Sequence, residues 1–381
     1  MKIAHLWYIL PLYGGAERWA LGLSKGLRGL GVDSEIVSWG SDSLKRYDNF
    51  IKVLENNIPS SPDIIDILMN SAFMAERLEE YDLVCSHHMS TIFPAVFSKS
   101  LHGSQVACIL HSPPLTWELS GEGLSSYRQT SEKNRQIHTI WKMLAPYSDF
   151  FFTNSRWNRI LFEKFENISP TPLLAGVDHD VFKPEKKLGV QLREKLGIDD
   201  ETILLFYSAA AGHRKRHEIL LRGLRTLVKK DYKVKCILTC SKDRRTRNFH
   251  PLVGRIVKEL KLEDHVIAFP ATSEKVLLSL YNACDIYVHP ANNEHLGMSI
   301  MEAMAVGKPI VAQANGGVPE IVDENVEGLL FKTDSVNRMT EYIEQLIVDE
   351  KLRLKMGENA YERARKFDWT EVAQNFIQVV S

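Results

Sequence analysis

The stretch Ile286–Val322 reads IYVHPANNEHLGMSIMEAMAVGKPIVAQANGGVPEIV. It opens on a short apolar run, Ile286–His289, rich in the β-branched and aromatic residues that suit a buried strand. A polar loop, Pro290–Gly297, follows. A helical pattern then covers Ser299–Val306, a second apolar run covers Pro309–Ala312, and Gly316-Gly317 marks a turn. Strand, loop, helix, strand is the repeating unit of a parallel α/β sheet. Loops at the carboxyl ends of such strands are where these sheets bind ligands.

Outward from this block the same alternation continues. Ile203–Ser208, Val234–Thr239 and Val266–Phe269 read as strands, with helices over Leu220–Leu227 and Val276–Asn282. Near the N-terminus, a strand at Ile3–Ile9 meets a turn at Pro11–Gly15. A helix then starts near Ala16, with Trp19, Leu23 and Leu27 on one stripe, and Val32–Val37 reads as the next strand. Leu83–Ser86, Val106–Leu110 and Phe150–Thr153 extend the series, while the polar stretch Trp117–Ile137 lies outside the sheet. The composition changes at Leu173–Pro184, where Gly176, Asp178 and Pro184 punctuate the chain. Two consecutive parallel α/β units follow from this, with domains over residues 1–177 and 178–360 and a C-terminal helix within 361–381.

The bulk numbers agree with two ordinary domains. The chain has 381 residues, 44% hydrophobic and 25% charged, with a formal net charge of -1. The five cysteines, Cys85, Cys108, Cys236, Cys240 and Cys284, are scattered and lack paired zinc-site spacing, which reads as reduced structural thiols in a cytoplasmic protein. The N-terminal apolar run breaks at Pro11 without a small-residue cleavage pattern, so it reads as a strand and not a signal peptide. No stretch reaches the roughly 20 apolar residues that span a bilayer. Residues 210–261 hold 16 Lys or Arg against 4 Asp or Glu. That basic stretch suits either a solvated face or an anion-attracting surface. No nucleic-acid module accompanies it.

The candidate chemistry centres on the opening block. Backbone N–H groups of Gly297, Met298 and Ser299 at a helix start can hold phosphate oxygens. Glu302, one turn further, can accept from ribose hydroxyls, and Glu294 in the loop can face a sugar. The plainer alternative is that Glu302 only offsets the helix dipole and Glu294 is solvated. Gly14-Gly15 before the first helix allows close backbone approach and an anion at the helix N-terminus, although the G-x-G-x-x-G fingerprint is absent. His111 ends a strand, and Arg214-Lys215-Arg216 forms a basic turn after the strand at Ile203–Ser208.

These residues together resemble the retaining glycosyltransferases of the group 1, or GT4, family with the GT-B fold. The resemblance rests on Glu294 and Glu302 at the family's spacing of eight, on the continuation EAMAVGKPIVAQANGGVPEIV, and on Gly328-Leu-Leu330. It implies two Rossmann-like domains facing an interdomain cleft, with the C-terminal helix crossing back to the first domain through Phe367-Asp368-Trp369. It implies transfer of a hexose or N-acetylhexosamine from a nucleoside diphosphate sugar, with GDP or UDP as carrier, and no cofactor or metal.

In that reading His111 contacts the sugar and Gly14 and Gly15 face the donor diphosphate or the acceptor. Lys215 offsets the leaving diphosphate, Glu294 supports the sugar and Glu302 holds the ribose. The family's arginine five positions before the lysine falls on Ala210, so Arg214 is the candidate substitute. The usual glycine near the base pocket is replaced at Ala271 or shifted. NEHLGMS is similar to mannosyltransferases acting on lipid-linked sugars, which favours mannose and a glycan or lipid-linked acceptor. Peripheral attachment to the cytoplasmic membrane face, through Trp19, Lys25 and Arg28, would go with such an acceptor. The alternatives are a sugar-nucleotide epimerase with the same architecture and a catalytically silent carbohydrate-binding or assembly protein.

Overall fold

The computed structural model describes residues 1–7, 14–39, 51–54, 64–113, 115, 132–239, 250–269, 273–332 and 335–381. The chain divides into two compact units. One comprises Met1–Gly176 with Asp368–Ser381, and the other Val177–Phe367.

The first unit is built on strands β1 (Lys2–Trp7), β2 (Asp33–Trp39), β3 (Ile51–Leu54), β4 (Leu83–Ser86), β5 (Gln105–Leu110), β6 (Phe150–Thr153) and β7 (Thr171–Pro172). They form one parallel sheet in the order β3-β2-β1-β4-β5-β6-β7. The second unit contributes β8 (Ile203–Tyr207), β9 (Val234–Leu238), β10 (Val266–Ala268), β11 (Ile286–His289), β12 (Ile310–Gln313) and β13 (Gly328–Phe331). Their order is β10-β9-β8-β11-β12-β13, again parallel throughout. Each sheet therefore grows outward from its first strand and then reverses, between β1 and β4 in one and between β8 and β11 in the other. That reversal is the topological switch point at which doubly wound folds bind ligands.

The central strands are buried on both faces, which explains their near-continuous apolar runs. All four residues of β4, β11 and β12 are buried, as are Leu204–Tyr207 of β8. The helices cover the faces with one stripe each. The first, Gly15–Gly29, buries Trp19, Ala20, Leu23 and Leu27. Trp19, expected to face outward beside Lys25 and Arg28, is 2% exposed and packs edge-on against Trp369, with ring centroids 6.0 Å apart. It is a core residue and cannot anchor a membrane surface.

The last helix, Trp369–Val380, is part of the first unit. Its Trp369 lies so close to three glycines that a Cβ on Gly22 would stand 2.0 Å from the indole, and one on Gly176 2.5 Å from the Trp369 nitrogen. Gly26 meets the Trp369 carbonyl in the same way, at 2.3 Å. The absence of side chains at these positions makes the seat for the indole.

The expected strand Ile3–Ile9 is observed as Lys2–Trp7, its last two residues lying outside the described ones. The basic loop Lys242–Arg247, the base-pocket segment around Ala271 and residues 117–131 of the polar excursion also lie outside them. No helix among the described residues is long and apolar enough to cross a membrane.

Candidate functional site

In the second unit the loops after β8 and β11 bring their charged residues together. A short 3-10 turn, His213–Lys215, follows β8, and the hydroxyl of Tyr207 on that strand donates to the Lys215 carbonyl at 2.8 Å. The Lys215 ammonium then donates to Glu294 Oε2 at 2.7 Å. Arg214 Nη1 lies 3.5 Å from the same oxygen and donates to the Asn293 carbonyl at 3.1 Å, and its own carbonyl accepts from Asn292 N–H at 2.9 Å. His289 Nε2, at the end of β11, stands 3.1 Å from Glu294 Oε2. One carboxylate oxygen thus gathers two cations and an imidazole from the two sides of the switch point.

The electrostatics follow from this packing. Burial would raise the Glu294 carboxyl, but Lys215, Arg214 and His289 outweigh it and hold it well below its ordinary value. Burial lowers the Lys215 ammonium, with Glu294 opposing and Arg214 reinforcing that shift. His289 is lowered by burial despite its carboxylate partner, so it adds no stable positive charge. Two cationic side chains thus face one carboxylate.

The backbone of the Glu294 loop is fixed from the next loop. Asn315 Oδ1 accepts from Glu294 N–H at 3.2 Å, and Gly317 N–H donates to the Glu294 carbonyl at 2.8 Å. Gly316 has φ +61, and a Cβ there would fall 1.9 Å from the Glu294 carbonyl oxygen. Only glycine lets the two loops approach this closely.

The helix Met298–Ala305 begins directly after the loop, with Gly297 at its N-cap in the left-handed region at φ +102. Its first internal bond runs from Ile300 N–H to the Gly297 carbonyl at 2.8 Å. The N–H groups of Met298 and Ser299 therefore precede the helix's own ladder. No acidic residue occupies this first turn. Glu302, 2% exposed, lies one turn on, where Tyr281 O–H reaches its Oε2 at 2.8 Å and the Ser299 carbonyl at 3.0 Å.

In the first unit the helix N-terminus after Gly14-Gly15 is arranged differently. Glu17 folds back on it, taking hydrogen bonds from the backbone of Gly14 and from its own N–H. A Cβ on Gly14 would lie 2.0 Å from the Glu17 carboxylate, so close approach, and not an unusual φ, is what this glycine permits. The chain thus places a carboxylate of its own at this helix start.

His111 lies at the end of β5, buried against Trp19 and Trp7, with ring centroids 5.2 Å and 6.1 Å away. Its Nε2 is 2.9 Å from His87 Nδ1, and its carbonyl accepts from the Asn154 amide at 3.0 Å. Burial pushes the His111 imidazole down to about 3. Among the described residues no group of three or more His, Cys, Asp or Glu could hold a metal ion.

Two family models divide the chain along the same line as its sheets. The model for glycosyl transferases group 1 matches residues 191–363, and that for glycosyltransferase family 4 matches residues 13–180. The fold is GT-B. The chain is related to the group 1 and family 4 glycosyltransferases. It superimposes on Anabaena HepE, solved in complex with UDP and glucose, with a TM-score of 0.82, 20% identity and coverage of 100% of this chain and 99% of that one.

It is 29% identical over 200 residues to a D-inositol 3-phosphate glycosyltransferase of Corynebacterium aurimucosum, covering 52% of this chain and 48% of that protein. The chain thus spans about half the length of that curated relative. An uncharacterized glycosyltransferase of Methanocaldococcus jannaschii is 23% identical over 405 residues, covering 100% of this chain and 97% of its own length.

Within the GT-B fold, the residues singled out in the sequence divide into three places. Arg214, Lys215 and Glu294 are in mutual contact; Gly297, Met298, Ser299 and Glu302 share the adjoining helix start; Gly14, Gly15 and His111 belong to the first unit. Sequence reasoning missed His289, Tyr281 and Asn315 as partners, and it missed His5 and His87 behind His111. His289 had a legible signal, as a histidine ending the strand just before Glu294. The others are long-range partners fixed by sheet order, which no local pattern encodes.

Proposed function

We propose that the chain is a retaining glycosyltransferase that moves a hexose or N-acetylhexosamine from a nucleoside diphosphate sugar to a hydroxyl of a glycan or lipid-linked acceptor. The observation that carries the reading is the Lys215–Arg214–Glu294 cluster beside the open N-terminus of helix Met298–Ala305. As the bond between sugar and nucleotide breaks, negative charge grows on the β-phosphate. Preorganised cations and N–H groups that meet such charge are worth about 3–4 kcal/mol each. Lys215 and Arg214 supply the cations, and Met298 and Ser299 the N–H groups.

Arg214 takes the part of the family arginine that is missing at Ala210, since it reaches the same carboxylate oxygen as Lys215. Glu302, steadied by Tyr281, accepts from the ribose hydroxyls, and Glu294 supports the oxocarbenium-like sugar. His111 offers a hydrogen bond to the donor. The likeness to HepE with UDP and glucose supports a UDP-sugar, while NEHLGMS supports GDP-mannose.

A screen of UDP-, GDP- and ADP-sugars, read as sugar released to water or to added acceptors, tests the reading. Turnover of one donor, lowered by about 10²–10³ in Lys215→Ala, supports it. Binding of glycans without turnover of any donor would instead favour a silent carbohydrate-binding protein.

A further inference from the structure

Three buried histidines form a continuous hydrogen-bonded chain in the first unit. His5 Nδ1 is 2.9 Å from His87 Nε2, and His87 Nδ1 is 2.9 Å from His111 Nε2. They come from the middle of β1, the loop after β4 and the end of β5, so the chain runs across the switch point of the first sheet. Trp7 and Trp19 flank His87 and His111. The two outer nitrogens, His5 Nε2 and His111 Nδ1, are buried and have no hydrogen-bond partner among the described residues.

The proton count in this chain is constrained. Burial pushes His5 and His111 down to about 3 and His87 well below its ordinary value, so all three rings are neutral near pH 7. A neutral imidazole has one N–H and one lone pair. Three such rings can make both bonds only if every N–H points the same way along the chain. One end then carries a spare N–H and the other a spare lone pair.

The two ends are not equivalent. His5 is 0% exposed in the middle of a central strand, whereas His111 is 8% exposed at a strand's carboxyl end, the ligand-binding edge of such sheets. A buried N–H with no partner is rarer and costlier than an under-used acceptor. The spare lone pair therefore belongs at His5 Nε2, and the spare N–H at His111 Nδ1. The hydroxyl-rich ligand of a transferase supplies acceptors for that N–H. The reverse order would strand an N–H at the closed end, and a proton passed inward from a substrate would have no exit there.

We propose that His5 and His87 are positioning residues that fix His111 as a neutral Nδ1–H donor to an oxygen of the bound sugar nucleotide. His111 then acts as a hydrogen-bond donor and not as a general base. The identity of the ligand rests on the transferase reading; the order of the protons does not.

Nitrogen-15 histidine labelling of the full chain, with long-range proton–nitrogen correlation at neutral pH, reads each tautomer directly. Resonances are assigned by single His→Asn or His→Gln variants. The expected result is Nδ1–H at His5, His87 and His111 together, the minor form for a free histidine. Nε2–H at any of the three overturns the proposal.

Adding UDP or UDP-glucose, with binding followed in parallel by calorimetry, tests the donor role. A shift of the His111 Nδ1–H signal with UDP alone identifies an oxygen of the nucleotide, and a shift only with UDP-glucose identifies an oxygen of the transferred sugar. An unmoved signal in protein that has bound UDP-glucose overturns the role. Absence of binding by both ligands counts against UDP as the carrier, and the titration is then made with GDP and GDP-mannose. Absence of binding by all four counts against the transferase reading itself, and the proton order still stands or falls on the ligand-free spectrum.

Variants at His87 separate positioning from mere packing. In His87→Asn the amide nitrogen takes the place of Nδ1 and can still donate to His111, whereas His87→Phe cannot. His87→Phe should raise the donor KM about tenfold with a smaller effect on kcat, and His87→Asn should restore most of that loss. Equal losses in both variants, with folding intact, would overturn the positioning role.

Discussion

Lys215 Nζ and Glu294 Oε2 are 2.7 Å apart, although 79 residues separate them in the chain. They meet because β8 and β11 are neighbours in the sheet, so the loops at their carboxyl ends share one corner. Arg214 and His289 complete the same corner on the same oxygen. In the proposed function, the two cations set against this one carboxylate are what meets the leaving diphosphate.

Lys215→Ala should lower turnover by about 10²–10³, the usual effect of removing one donor aimed at developing charge. Glu294→Gln should also lower kcat, because it removes the carboxylate that orients both cations. Steady-state kinetics with circular dichroism as a folding control distinguishes these losses from unfolding.

Arg214→Ala should raise the donor KM and lower kcat, by less than Lys215→Ala, since its side chain is the more distant from Glu294, at 3.5 Å. In the Arg214→Ala background, Ala210→Arg should recover part of the activity if a guanidinium from either position serves the phosphate. Activity assays on the single and double variants check this, and no recovery would tie the function to Arg214 alone.

Tyr281→Phe removes the hydroxyl that reaches Glu302 Oε2 at 2.8 Å. The expected cost is about 1.5–3 kcal/mol of stability, the range for losing one hydrogen bond to a charged group. A raised donor KM should accompany it, and Glu302→Ala should raise that KM further. Chemical denaturation and donor titration read the two effects separately.

The fold was largely readable from local pattern. Apolar runs such as Leu204–Tyr207 and Ile286–His289 are strands because both faces of a parallel sheet are covered. The short edge elements β3 and β7 carried too few residues to stand out. At the site, the block from Glu294 to Glu302 was legible because strand end, loop and helix start are adjacent in sequence. The contact of Lys215 with Glu294, the seat of Trp369 among three glycines and the histidine chain behind His111 were not, since each depends on which strands become neighbours. Trp19 was misread as an outward residue because its helical stripe says which residues share a face and not which face a distant helix will cover.

Trp369→Ala should destabilise the first unit by about 3–5 kcal/mol, as for other buried aromatic truncations. Gly22→Ala should also destabilise it, because the added Cβ would lie 2.0 Å from the indole. Differential scanning calorimetry should show the unit's transition falling in temperature in both variants.

Acidification should weaken the fold before it protonates the native histidines. His5 and His111 are depressed to about 3, whereas unfolded histidines titrate near 6.5, so the unfolded chain binds more protons between those values. Stability is full above the unfolded value and declines as pH falls toward 3, by about 2 kcal/mol per histidine between pH 7 and pH 5. Glu294 is depressed too, so its contribution is full above the ordinary carboxylate range and declines progressively as pH falls from there toward its folded value. Guanidinium unfolding at pH 7 and pH 5 checks the slope, which should be shallower in His111→Asn.

Lys215, Arg214 and the helix start at Gly297–Ser299 form the proposed nucleoside diphosphate site. Calorimetric titration of UDP and GDP into the wild-type chain, Lys215→Ala and Glu302→Ala tests it most directly. Saturable binding of one nucleotide to the wild type is expected, with affinity at least tenfold weaker in each variant. Failure of both nucleotides to bind the wild type, or binding that neither variant changes, would contradict it.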